Sequence, residues 1–337
     1  MDSLTQIVLG GAVGEAVLGR KVGNKAILWG AIAGTIPDLD VFAKYFVDAV
    51  RANELHRGFS HSILFSILFA PVLGWLAYKI HRKAKTTADW KGWTKLMFWS
   101  LVTHPLLDAH TSWGTQLFWP LEYKITYNNI FVIDPLYTLP FLVFLVLAMM
   151  QKRESSKRRF YNNLGLIISS CYMLLTFAFK GIAHYQFSKN LKKQNIKFLE
   201  IEAKPTPFNS ILWCGFVETE DSFLLGYYSL MDGSTPITFA HFPKKQKDLG
   251  KMADEELVKK LIKLSRGWYN IKVDGDTTYF YDLRFGQAGI NHDPTSFVYC
   301  YELHYENGIL IADQAQRHFK DFGQGLKQIL KRAGGKD

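Results

Sequence analysis

The sequence predicts an α-helical multi-pass membrane domain of about six helices, some short or broken, over residues 1–180, followed by a small extracytoplasmic α+β domain over residues 181–337. Three observations lead there. Apolar residues make up 48% of the 337-residue chain and aromatic residues 15%, which is rich for a soluble protein. Up to about residue 180 they fall in long runs, whereas from Gly181 onward charged and polar residues interleave with short aromatic stretches. The Lys and Arg residues of the first half stand in clusters between the runs, as loops between membrane helices require.

The runs are Leu4–Gly19, Ala26–Ile36, Ile63–Tyr78, Leu96–Leu107, Phe131–Met150 and Tyr161–Phe179. A full helical crossing takes about 20 residues. The third, fifth and sixth approach that length; the others are short or carry polar groups, which is tolerated where helices are buried among neighbours or line a wet cavity. Gly10 with Gly14, and Gly30 with Gly34, are small-xxx-small pairs that let the first two helices approach closely.

The basic clusters are Arg20, Lys21 and Lys25; Lys79, Arg82, Lys83, Lys85, Lys91 and Lys95; and Lys152, Arg153, Lys157, Arg158 and Arg159, 14 residues in all. The alternate loops hold only Lys44, Arg51, Arg57 and Lys124. Fourteen against four places the clusters in the cytoplasm, and the N-terminus and C-terminal domain outside. The first segment lacks a basic leader and a small-residue cleavage site, so it reads as a retained helix. The net charge of +10 is therefore loop charge, and with no aromatic-basic or zinc-finger motif it does not point to nucleic acid. Cys171, in the sixth helix, reads as a core residue. Cys214 and Cys300 fall in strand-like runs where a disulfide is chemically permitted.

With this orientation, ionisable groups from four elements reach one level on the outer side. Asp38 and Asp40, in "PDLD", follow the second helix, where Pro37 fixes the backbone. His56 and His61, in "HRGFSHS", precede the third, with Ser60 placed to cap it. His104 and Asp108 share a face of the fourth, one turn apart, and Asp134 stands at the start of the fifth. Buried or interfacial His and Asp are costly, so several converging call for a common partner, and a metal supplies one. Imidazole with carboxylate suits zinc, manganese or iron, and the surplus of donors suits more than one ion.

The motifs "MDSLTQ", "PDLD", "HRGFSHS", "HPLLDAHTSWGTQLFWP" and "NNIFVIDPLYT", in this order over residues 1–180, resemble the membrane-bound metal-dependent hydrolase family of YdjM-like and YfhP-like bacterial inner membrane proteins. "PTPFNSILW" and "LSRGWY" extend the resemblance more weakly into the C-terminal half. The resemblance implies Asp38, Asp40, His56, His61, His104 and Asp108 as metal ligands. Relatives often carry His where this chain has Gln6. More distantly, the HxxxD element is similar to zinc-dependent phospholipases C and single-strand nucleases.

A metal-activated water needs no serine or cysteine nucleophile, and neither GxSxG nor a P-loop is present. Ser60 and Ser62 are assigned to capping and supporting hydrogen bonds. Arg57 is the candidate for gripping a phosphate, with contact to lipid head groups as its alternative role. Asp134 is a further ligand, a general base or the partner that orients a ligating histidine, the last two favoured. His110, His184, His241, His292, His304 and His318 are left out of the ligand set, and Glu15 pairs with basic residues away from it. A site at head-group depth suits a phospholipid or lipid-linked phosphate. The expected activity is hydrolysis of that phosphoester; the alternative is a binding or regulatory protein with a structural metal. A transport pathway would need its charges through the midplane, not at one face.

In the C-terminal half, the chain continues through 181–195 as a polar helix leaving the membrane, 208–218, 222–230, 278–285 and 297–305 read as strands, and 254–266 and 314–332 as helices. Whether this domain is a lid, a partner site or a substrate-recognition module is left open by its sequence.

Overall fold

The computed structural model describes all residues except 84–87, 234–235, 291–292, 316–321 and 336–337. Lys85, His292, His318, the first part of the predicted 314–332 helix and the last two residues thus lie outside the described residues. The chain divides into two compact units, one of Met1–Ala43 and Leu55–Phe177, the other of Lys44–Glu54 and Ala178–Asp337.

The first unit is helical. Asp2 caps α1 (Ser3–Val22) by accepting from the Thr5 N–H at 3.1 Å. Gly23, at a φ of +63°, turns the chain into α2 (Asn24–Thr35). The two helices meet backbone to backbone. A methyl on Gly10 or Gly30 would collide with the carbonyl oxygen of the other, and one on Gly34 would lie 2.8 Å from the Gln6 carbonyl oxygen. A 3-10 segment, Pro37–Tyr45, leaves α2 with a bend of 42°.

After α3 (Ala49–Leu55) and a 3-10 turn at Phe59–His61 comes α4 (Ile63–His81). Its cap is Ser62, which accepts from the Phe65 N–H at 3.0 Å. This replaces the expected Ser60, whose hydroxyl instead serves Asp40. The helices α5 (Trp90–Asp108), α6 (Pro135–Met149) and, as far as Phe177, α7 (Ser156–Lys193) complete the unit. One apolar cluster joins α1, α2, α4 and α5 around Trp93 and Leu96, and another joins α1, α5, α6 and α7 around Phe141. Among the described residues, α4 and α7 are each long and apolar enough to cross a membrane, and α2 with its bent continuation passes as a pair. The remaining helices expected to cross fall short because α6 is brief and α1 and α5 carry polar groups: Gln6 and Glu15, and Lys91, Lys95, His104 and Asp108.

As expected, residues 181–193 continue as helix, the end of α7, whose 38 residues run on without a break. Two other expectations are corrected here. Cys171 is exposed on α7 and not part of a core. Cys214 and Cys300 are buried and free. The C-terminal domain is built mainly of β-strands in two sheets, with the expected helices present at Glu256–Ser265 and, over its described part, Phe322–Ala333. Each sheet is a four-stranded antiparallel meander: β1 (Glu200–Pro205), β2 (Leu212–Glu218), β3 (Ser222–Ser229) and β4 (Phe239–Pro243) in one, β5 (Tyr269–Asp274), β6 (Thr277–Gln287), β7 (Phe297–Glu306) and β8 (Ile309–Gln314) in the other.

The period-two alternation of the strands sets the layers. Leu212, Cys214 and Phe216 join Tyr281, Leu283 and Phe297 in one core, which Ile329 of α9 (Phe322–Ala333) also enters. The opposite face of the first sheet, with Trp213 and Val217, packs on Ala183, Phe187 and Leu191 of α7. The opposite face of the second, with Phe280, Tyr301 and Leu303, is covered by Val258 and Leu261 of α8 (Glu256–Ser265) and by Val50. Each such large apolar side chain contributes about 1.5–3 kcal/mol on full burial.

Candidate metal centre

Two elements of α5 geometry start the site. His104 and Asp108, four residues apart, stand on one face, with His104 Nε2 3.6 Å from Asp108 Oδ2. The Nδ1 of His104 lies 2.6 Å from the Gly34 carbonyl oxygen, an acceptor only, so Nδ1 carries the proton and Nε2 offers its lone pair. His61, fully buried, turns its own Nε2 to the same point, 3.1 Å from that of His104. Asp38 Oδ1 completes the group at 3.4 Å from each imidazole Nε2, and Asp108 Oδ2 lies 3.4 Å from His61 Nε2.

Five donor-to-donor distances thus lie between 3.1 and 3.6 Å, and the donors of all four residues fall within 4.8 Å of one another. A tetrahedral ion with bonds of about 2.0–2.1 Å has edges of about 3.3–3.4 Å. The residues therefore fit a metal. The polar accounting agrees: Asp108 Oδ2 is buried without a hydrogen bond, although Arg57 Nε is 3.0 Å away, because that approach is too poorly aligned to be one. Its other oxygen is held from behind by the Met1 amino group and by Gln6 Nε2 at 2.9 Å. Gln6 also donates to the His104 carbonyl at 3.3 Å. Gln6 is thus a support of two donors, a role its sequence position alone did not reveal.

Asp40 and His56 stand one layer out. Asp40 Oδ2 is 3.1 Å from His61 Nδ1 and accepts from the Arg57 N–H and the Ser60 hydroxyl, both at 2.9 Å. This is the carboxylate that orients a ligating imidazole from its far side. Asp40 Oδ1 is 2.9 Å from His56 Nδ1, and the His56 ring lies edge-on to Trp113 at 5.3 Å. Burial lowers the His56 pKa, although Asp40 opposes it. Burial alone would lower His61 too, but the carboxylates of Asp108, Asp38 and Asp40 outweigh it and push its pKa up to about 10.

Arg57 is buried beside Asp108 with its backbone in the left-handed region at φ +59°, a conformation that costs a non-glycine residue about 1–2 kcal/mol. Its N–H to Asp40 and its Nη1 to the Thr111 hydroxyl, at 2.7 Å, hold it there. Asp134 is elsewhere in the unit: it caps α6 through the Leu136 N–H at 2.9 Å and accepts from the Tyr172 hydroxyl at 2.9 Å. His110 faces Asn129 at 2.9 Å. Of the four donors, Asp38 alone is accessible, its side chain 28% exposed while those of His61, His104 and Asp108 are at 0%.

Residues 1–187 match a family model described as YdjM inner membrane protein. No curated protein and no solved structure matches the chain.

Proposed function

The chain belongs to the YdjM inner membrane protein family, and from that premise we propose that it is a metal-dependent hydrolase acting on the phosphoester of a phospholipid or lipid-linked phosphate at the outer face of the membrane. The observation that carries the reading is the convergence of Asp38, His61, His104 and Asp108 at tetrahedral spacing beside a buried arginine. A divalent ion held there, zinc by ligand type with manganese or iron as alternatives, supplies Lewis acidity and an acidified water.

The chain's own residues do the rest. His61 and His104 present Nε2 because Asp40 and the Gly34 carbonyl hold their other nitrogens. In this reading Arg57, beside Asp108, meets a phosphoryl oxygen with its planar fork. Asp38, the one accessible donor, marks the side from which a substrate arrives. Asp134 acts as a helix cap in this reading, so the role of base passes from it to no named side chain.

The test is metal content together with hydrolysis of a broad lipid panel by wild type and His104→Ala. Wild type should turn over at least one phosphorylated lipid and the variant none; a variant with full metal and a wild type inert on the whole panel defeats the hydrolase. A second reading, a binding or regulatory protein with a structural metal, is favoured by four protein donors that complete a tetrahedron unaided. Inorganic phosphate separates the two: it shifts the visible spectrum of the Co2+ form where a coordination position is exchangeable and leaves a closed site unchanged. For topology, a reporter fused after Lys157 should be cytoplasmic.

A further inference from the structure

The two limbs that carry Asp38 and His61 are joined by way of the other unit. After Ala43 the chain leaves the helical unit, contributes Lys44–Glu54 to the C-terminal unit and returns at Leu55. Asp38 and Asp40 stand just before this excursion, His56 and His61 just after it.

Inside the C-terminal unit the excursion is held at two points. Asp48 starts α3 by accepting from the Arg51 N–H at 2.8 Å. Val50 and Asn53, three residues apart, then share a helix face. Val50, 1% exposed, is embedded among Leu249, Val258, Leu261, Tyr301 and Leu303. Asn53 Nδ2 donates to the Tyr301 hydroxyl at 2.7 Å, and Tyr301 is itself buried in the second sheet. At the neck, the Asp40 carboxylate ties the outgoing limb to the returning one through His56 and the Arg57 N–H while it orients His61. A shift of the returning limb therefore moves the group that aims a metal donor.

We infer that the C-terminal domain is a positioning domain for the metal centre, which sets the spacing of the Asp38 and His61 limbs by gripping Lys44–Glu54. This rests on the metal reading above. Val50 and Asn53 are positioning residues that act through Asp40 and touch no substrate.

The test uses the full chain with Co2+ as probe. Val50→Ser and Asn53→Ala, together and singly, are compared with Val50→Ile and with Ile329→Ala, which thins the same unit's core away from the excursion. The double variant should bind Co2+ about 10-fold more weakly, the scale of losing a support behind a ligand, with an altered visible spectrum. In the metal-free form its 55–62 segment should exchange amide hydrogens faster. Val50→Ile and Ile329→Ala should match wild type in all three. Should Val50→Ser fail to fold, Asn53→Ala alone decides. Wild-type affinity and spectrum in the excursion variants, or an equal loss in Ile329→Ala, overturns the inference while leaving the metal centre intact. A wild type that binds no Co2+ removes the metal centre and the inference with it.

Discussion

The helical unit buries two charged constellations, and they are built on opposite plans. At one, Arg158 lays its guanidinium on both carboxylate oxygens of Glu15, at 2.6 and 2.5 Å, and spends its remaining donors on Asn24 and the Gln151 carbonyl. Each charge has its opposite and each guanidinium nitrogen an acceptor. At the other, three carboxylates crowd two imidazoles whose Nε2 atoms face each other at 3.1 Å, and Asp108 Oδ2 has no well-aligned hydrogen bond. A satisfied pair is a fastening between helices. A convergence of donors that cannot satisfy one another is a place for a cation.

The sharpest way to break this comparison is to remove a donor. His104→Ala should abolish stoichiometric metal binding, measured by elemental analysis of the purified protein, whereas Glu15→Gln should keep full metal. Retained metal in His104→Ala would put the two constellations in one class. Next in size, Arg158→Met should cost about 3–5 kcal/mol by leaving a buried carboxylate alone, read as a lower melting temperature in detergent, and Glu15→Leu with Arg158→Met should recover most of it. No such apolar rescue should exist at the metal centre.

Protonation sharpens the contrast further. His61 holds a proton in the metal-free fold up to about pH 10, so an incoming ion must displace it. Co2+ affinity should rise about tenfold per pH unit below that value, followed by titration at several pH values; a flat profile would mean His61 is no ligand. The sign for the metal-free fold is opposite. A raised pKa stabilises fully below the ordinary value of 6.5, and that contribution is lost as pH climbs through 10. The smallest effect is expected at Gln6. Gln6→Ala should weaken Co2+ binding by up to about tenfold without loss of stoichiometry, because it releases the back of Asp108 but leaves all four donors.

What the sequence made legible followed from local geometry. The His104 and Asp108 spacing is a property of any helix, and the glycine pairs announced a close crossing. The central strands β2, β3, β6 and β7 were readable because they are densely apolar, as in the buried run of Leu212–Val217. Their partners β1, β4, β5 and β8 lie at sheet edges, half exposed, and β5 turns from buried to exposed midway. Each is only five or six residues long, too short to stand out against a loop, so the domain looked less β than it is. Ranking Asp40 and His56 behind the four donors needed to know which nitrogen each ring turned inward, a tertiary fact. Lys44–Glu54 was illegible for a different reason: Tyr45 and Phe46, its bulkiest apolar residues, are 69% and 85% exposed, and the residue that anchors it is the modest Val50.

Gly34 links two of these themes. Its lack of a side chain lets α1 and α2 touch, and its carbonyl oxygen fixes the ring of His104. A displacement in the way those helices meet therefore acts on the carbonyl that holds the ring of His104. Substitutions at this residue would resemble the loss of a donor in their effect on the centre, although the lost methyl-sized gap lies in the scaffold. The tolerance to which the centre is machined is thus the tolerance of the helix crossing itself.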